Sequence, residues 1–61
     1  MEDVSLEIIE KEKYTMFIKL INDKCVVVME TEIDFSEGFN MKRIIWLAEK
    51  FDFKIKNVYN K

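Results

Sequence analysis

Three observations predict an α+β fold of order β-β-β-α-β for this chain. Three runs in its first half alternate apolar with polar residues, one later segment repeats apolar residues at helical spacing, and a last short run alternates again. The first three runs are expected to form an antiparallel meander. The helix should pack on one face of it, with a short C-terminal strand completing the domain. No linker, repeat or low-complexity stretch interrupts the chain, so residues 1–61 read as a single domain.

In the first run Val4, Leu6 and Ile8 alternate with Ser5 and Glu7. In the second, Tyr14, Met16, Ile18 and Leu20 alternate with Thr15, Phe17, Lys19 and Ile21. The third runs from Cys25 to Ile33, where Cys25, Val27 and Met29 alternate with Val26, Val28 and Glu30. A period of two with β-branched residues suits strands half buried in a sheet. A three-residue turn at Glu10-Lys11-Glu12 sets Ile8 beside Tyr14, Leu6 beside Met16 and Val4 beside Ile18. A two-residue turn at Asn22-Asp23 sets Leu20 beside Cys25, Ile18 beside Val27 and Met16 beside Met29, because both turn residues tolerate the left-handed conformation. This register gives one continuous apolar face, which a slip of one residue would scatter. On the other face it sets Phe17 opposite Val28 and Lys19 opposite Val26, with Ile21 nearby. Phe17, Ile21, Val26 and Val28 are thus a candidate patch for pairing two copies, and a homodimer is expected. Glu7, Thr15 and Glu30 form a polar row on that face.

After Ile33 the period changes. Asp34, or alternatively Ser36, is a candidate N-cap, with Glu37 at the third position after Asp34. The helix should run to about Phe51. At about 100° per residue, Met41, Ile44, Ile45, Leu47, Ala48 and Phe51 share one broad face. Met41, Ile44, Ile45, Ala48 and Phe51 are expected to meet Val4, Leu6, Ile8, Met16, Ile18, Leu20, Val27 and Met29. Phe53 and Ile55 then alternate with Lys54 and Lys56, giving a strand through about Val58. It pairs beside either the first or the third strand.

Length and composition narrow the function classes. A chain of 61 residues buries only about 60% of the surface its unfolded form exposes, so its stability is small. With 49% hydrophobic residues, some apolar surface is available for a second copy or a partner. One cysteine allows no intramolecular disulfide, and no signal peptide or membrane-length apolar run is visible, which points to the cytoplasm and to no membrane contact. Nine lysines stand against one arginine, Gly and Ala occur once each and Pro is absent. An AT-rich gene produces that usage, as in many low-GC bacteria, their phages, and some archaea or viruses.

Catalysis finds little support. Histidine is absent, removing the commonest general base and neutral metal ligand. Cys25 falls on the apolar face of its run, where a buried thiol is inert. With Gly38 the only glycine, no phosphate loop can form. Glu30, Glu32 and Asp34 alternate along one strand and could offer oxygen ligands to Mg²⁺ or Ca²⁺. They lack calcium-loop spacing, and charges at a strand end ordinarily deter edge pairing. Neither a metal nor a cofactor is expected, and the chain is read as a non-enzyme.

The remaining signal is Trp46. It falls opposite the apolar helix face, among Lys42, Arg43, Glu49 and Lys50, with Phe39 two turns earlier on the same stripe. Tryptophan with a cationic surround is typical of protein-binding faces, which makes Phe39, Lys42, Arg43, Trp46 and Lys50 the candidate partner-binding residues. The same stripe, with Lys54 and Lys56 beyond, could stack bases and neutralise phosphates. In the ordinary structural alternative, Trp46 folds back over its helix. Residues 1–40 carry ten acids and four bases, and residues 41–61 two acids and six bases. The acidic part counts against nucleic acid; it could instead imitate a nucleic-acid backbone on a basic target. The expected function is a small interaction module that binds and modulates, or inhibits, another macromolecule. A small nucleic-acid-binding protein is the alternative.

Overall fold

The computed structural model describes residues 1–60. Among these, four strands and one helix follow the expected order: β1 (Glu2–Glu12), β2 (Thr15–Asn22), β3 (Val27–Asp34), α1 (Met41–Lys50) and β4 (Phe53–Asn60). The strands form one mixed sheet in the order β3-β2-β1-β4. The first three are the antiparallel meander, and β4 pairs with β1 in parallel. Of the two placements open to the last strand, the one beside β1 is realised. The connection from β3 through α1 must therefore carry the chain from one edge of the sheet to the other.

Both hairpin registers differ from expectation by four residues. Leu6 stands beside Leu20 rather than Met16, and Ile8 beside Ile18 rather than Tyr14. Ile18 stands beside Thr31 rather than Val27, and Met16 beside Ile33 rather than Met29. The first turn lies at Lys13-Tyr14, and a bulge between Glu10 and Glu12 takes up the extra residue Lys11. Side chains alternate with a period of two, so an even slip leaves each on its face. The apolar face therefore survives the change of register. Val4, Leu6, Ile8, Met16, Ile18 and Leu20 are buried under Ile44 and Ala48 of α1, and no polar or charged side chain among the described residues is buried with them.

The second turn explains the larger corrections. Asn22 opens it: its side-chain oxygen accepts from the backbone N–H groups of Lys24 and Val26, each at 3.0 Å. The Asn22 carbonyl accepts from Cys25 N–H at 3.0 Å, and Cys25 takes a φ of 63°. The thiol expected in the apolar face is instead exposed on a turn, in a left-handed conformation that Gly or Asn adopts at lower cost. Val26 lies in the turn. Val27 pairs with Ile21 on the sheet's back face and is exposed, so it is not a core residue. Val28 is passed over where the register shifts between Leu20 and Ile21, and it packs against the core instead of standing opposite Phe17.

The helix begins later than its local signals suggest. Asp34 does not cap it; its carboxylate accepts from Ser36 N–H at 2.8 Å, closing a turn with the same chemistry a cap uses. Phe35 packs against the core, its amide bonded to the Tyr14 carbonyl at 2.8 Å. Gly38, at φ 110°, then redirects the chain. Asn40 is the N-cap, extended at φ −140° with its side-chain oxygen accepting from Lys42 N–H at 2.9 Å. Replacing Asn40 by alanine should lower stability in urea unfolding by about 1 kcal/mol. Ser36→Ala should change it much less, since Asp34 binds a backbone amide that the substitution leaves in place.

At the other end Phe51 is the C-cap, and Asp52 follows in the left-handed conformation (φ 69°), a common helix stop. Phe51, at the very end of the helix, is exposed, and Ile45 at the flank of the helix is exposed as well. Both were expected in the core; Met41 packs at its margin. A ten-residue helix is only about 15 Å long, and it covers the centre of the sheet alone. Among the described residues, none is a helix long and apolar enough to cross a membrane.

Candidate interaction surface

The helix places Lys42, Arg43, Trp46 and Lys50 on exposed surface, as the spacing required. Trp46 is 64% exposed, and the Lys50 ammonium lies 5.3 Å from the centre of its ring. That cation–π contact covers part of one ring face and leaves the rest to water. The side chain does not fold back into the core.

Trp46 also walls a groove that periodicity did not reveal. Arg43, Trp46 and Leu47 line it from the helix, and Glu32, Ile33 and Asp34 from the end of β3, around a volume of about 320 Å³. Asp34 on one side of it faces Arg43 on the other. Asp34 is held below the ordinary carboxylate value of 3.8, first by the Ser36 backbone hydrogen bond and then by the Ser36 hydroxyl; partial desolvation opposes these, and Arg43 across the groove adds a weaker attraction.

Phe39 does not belong to this surface. It lies before the N-cap, in the loop, with its ring 6.5 Å from Phe35 edge-to-face; Phe35 in turn meets Tyr14 at 6.5 Å. This aromatic row closes one end of the sheet beside Ile8, Glu10, Met16 and Asn60. Helical phase counted back past Asn40 put Phe39 on the Trp46 stripe, but those residues are not helical.

The back of the sheet has no layer over it among the described residues. Of the expected dimer patch, Phe17 and Ile21 lie there, while Val26 sits in the turn and Val28 on the core side. Their actual neighbours are Ile9, paired with Phe17, and Val27, paired with Ile21. Lys11 and Lys19 approach the Phe17 ring at 5.0 and 5.9 Å. Lys19 stands between Glu7 and Glu30 in the same row, so opposite charges face one another across three strands. Lys56 of β4 meets Asp3 at 3.9 Å. Glu30 and Glu32 point from β3 to this side, while Asp34 is engaged with Ser36. Among the described residues, no three acidic or sulfur side chains gather as a metal would require.

The groove residues Glu32, Ile33, Asp34 and Leu47 carry no sequence signal of a shared role. Leu47 reads as part of the helix's apolar face and Ile33 as the end of a strand. Only the crossover of α1 brings them together. Compared with known proteins, the chain matches no family model, and no curated protein or solved structure is similar to it at a significant level.

Proposed function

We propose that this chain is a non-enzymatic interaction module that binds another protein through the outer face of α1 and the adjoining groove, and modulates or inhibits it. The observation that carries this reading is the 64% exposure of Trp46 beside a groove, with cations around it. A tryptophan so placed loses little conformational entropy on binding and buries a large area, which is why such residues dominate binding energies. Lys42, Arg43 and Lys50 supply the charged rim. The absence of histidine removes the commonest general base and the usual activator of a cysteine nucleophile. The setting proposed is the cytoplasm of a low-GC microbe, or of a phage's host.

Two further readings have specific support. Ile9, Phe17, Ile21 and Val27 on the back of the sheet favour weak pairing of two copies. The lysines across Phe17 and the charged row through Lys19 would have to be desolvated, which limits its strength. Lys42, Arg43 and Lys50 around Trp46 favour a nucleic-acid contact, against which the Asp34 carboxylate repels phosphate from the groove.

The test is capture on the immobilised protein, with nuclease treatment and a salt series, and with Trp46→Ala as control. A protein retained after nuclease digestion and released by Trp46→Ala supports the proposal. Loss of binding on digestion, with affinity falling by about 10³ or more between 50 and 200 mM salt, would establish the nucleic-acid reading instead.

A further inference from the structure

We propose that the outer edge of β3, with the groove beside it, receives an extended segment of the partner protein as a fifth strand, one that alternates basic with apolar residues. This rests on the reading of the Trp46 face above and names the chemistry of the partner it would take.

β3 is an edge strand. The Phe35 amide points inward to the Tyr14 carbonyl. Antiparallel strands alternate their backbone direction, so the amides and carbonyls of Glu30, Glu32 and Asp34 point outward, with no strand beyond them; the Glu32 carbonyl accepts from the Thr31 hydroxyl at a long 3.3 Å and keeps a second lone pair. The groove lies beside the last part of this edge, at Glu32, Ile33 and Asp34, and Leu47 and Trp46 line it from the helix. An added strand would satisfy the outward backbone groups and set every second side chain into that groove.

Charge selects the strand. Residues 25–40 contain four acids and no base, and Glu30 and Glu32 project from the edge strand to the back of the sheet. Lys19 stands opposite Glu30, but Phe17 stands opposite Glu32. Basic residues on one side of the incoming strand would lie beside these two carboxylates, and apolar residues on the other would enter the groove. The same acids oppose pairing of β3 with a second β3, where like charges would meet. The outer strand β4 carries Lys54-Ile55-Lys56, the complementary pattern, but it has a bulge at Lys56. Pairing β4 of one copy with β3 of another is head-to-tail and leaves both ends open, so a segment of a different protein is the occupant the geometry favours.

The probe is the peptide Lys-Val-Lys-Val-Lys-Val-Lys, titrated into the ¹⁵N-labelled full chain, with a glutamate-for-lysine peptide as control. Expected are shifts confined to the amides of residues 29–34 and the Trp46 indole, slowed exchange at Glu30, Glu32 and Asp34, and no binding of the acidic peptide. Glu30→Gln with Glu32→Gln, shown to be folded by circular dichroism, should weaken binding by about threefold to tenfold. Shifts centred on β4 or the back of the sheet, equal binding of both peptides, or no binding at millimolar peptide would overturn the proposal. So would shifts at both β3 and β4 on raising protein concentration alone, which would make a second copy the occupant. If the glutamine variant leaves capture of the partner intact while Trp46→Ala abolishes it, the strand proposal fails and the helix-face reading stands. If neither substitution affects capture, both fail.

Discussion

Replacing Leu6 by alanine is expected to leave most of the protein unfolded at room temperature. Leu6 is fully buried, stands beside Leu20 on β2 and Val58 on β4, and lies in the core with Ile44 and Ala48 of α1. Truncating a buried leucine costs about 2–5 kcal/mol, through lost transfer energy and the cavity left behind. A single core in a domain this short rarely supplies more than about 3–5 kcal/mol in total. Loss of the far-ultraviolet sheet signal, or a urea midpoint near zero, is the expected result. Ile9→Ala serves as the internal control. Ile9 lies on the uncovered back face and is only half buried, so its loss should cost less than half as much. Equal losses at the two positions would mean that the back face is covered in solution, which is what a stable dimer would produce.

Trp46→Ala is expected to give the opposite pattern. The side chain is largely in water, and among the described residues its ring contact is with the Lys50 ammonium, so the folded monomer should lose under about 0.5 kcal/mol. Binding to the partner should weaken by about 2 kcal/mol or more, roughly thirtyfold, as a hot-spot tryptophan does. Urea unfolding at a concentration where the protein is monomeric gives the first quantity, and calorimetric titration of the captured partner the second. A large loss of stability with affinity unchanged would place the functional contact elsewhere.

Apolar alternation locates the strands but not their pairing, and one physical fact accounts for both. Alternation with a period of two assigns each residue to a face and is blind to slips of two or four. Glu10-Lys11-Glu12 looked like a turn because it is polar, while Lys13-Tyr14 offers no Gly, Asn or Asp to mark one. The observed register wins on terms the apolar pattern does not contain. It pairs Leu6 with Leu20 and Ile8 with Ile18, and sets Lys19 between Glu7 and Glu30, where the expected register left the two acids flanking Thr15. Cys25 was misplaced for the same reason. In the shorter pairing it belonged to a strand, whereas the actual hairpin needs it in the turn.

The candidate site divides along the same line. Helical spacing alone was enough to put Lys42, Arg43, Trp46 and Lys50 outside the core, because ten residues in one helix fix their mutual directions whatever lies beneath. It could not reach Phe39, since Asp34 and Ser36 offer cap chemistry that serves a loop turn as readily as a helix start; Asn40 is where the helix begins. The sequence by itself determined the element order, the apolar face of each strand and the outward face of α1, all consequences of local periodicity. The tertiary structure alone decided which strands are edges, where the helix lies across them, and hence that Glu32, Ile33 and Asp34 share a groove with Trp46. Those choices depend on contacts between residues far apart in the chain, whose energies no local pattern carries.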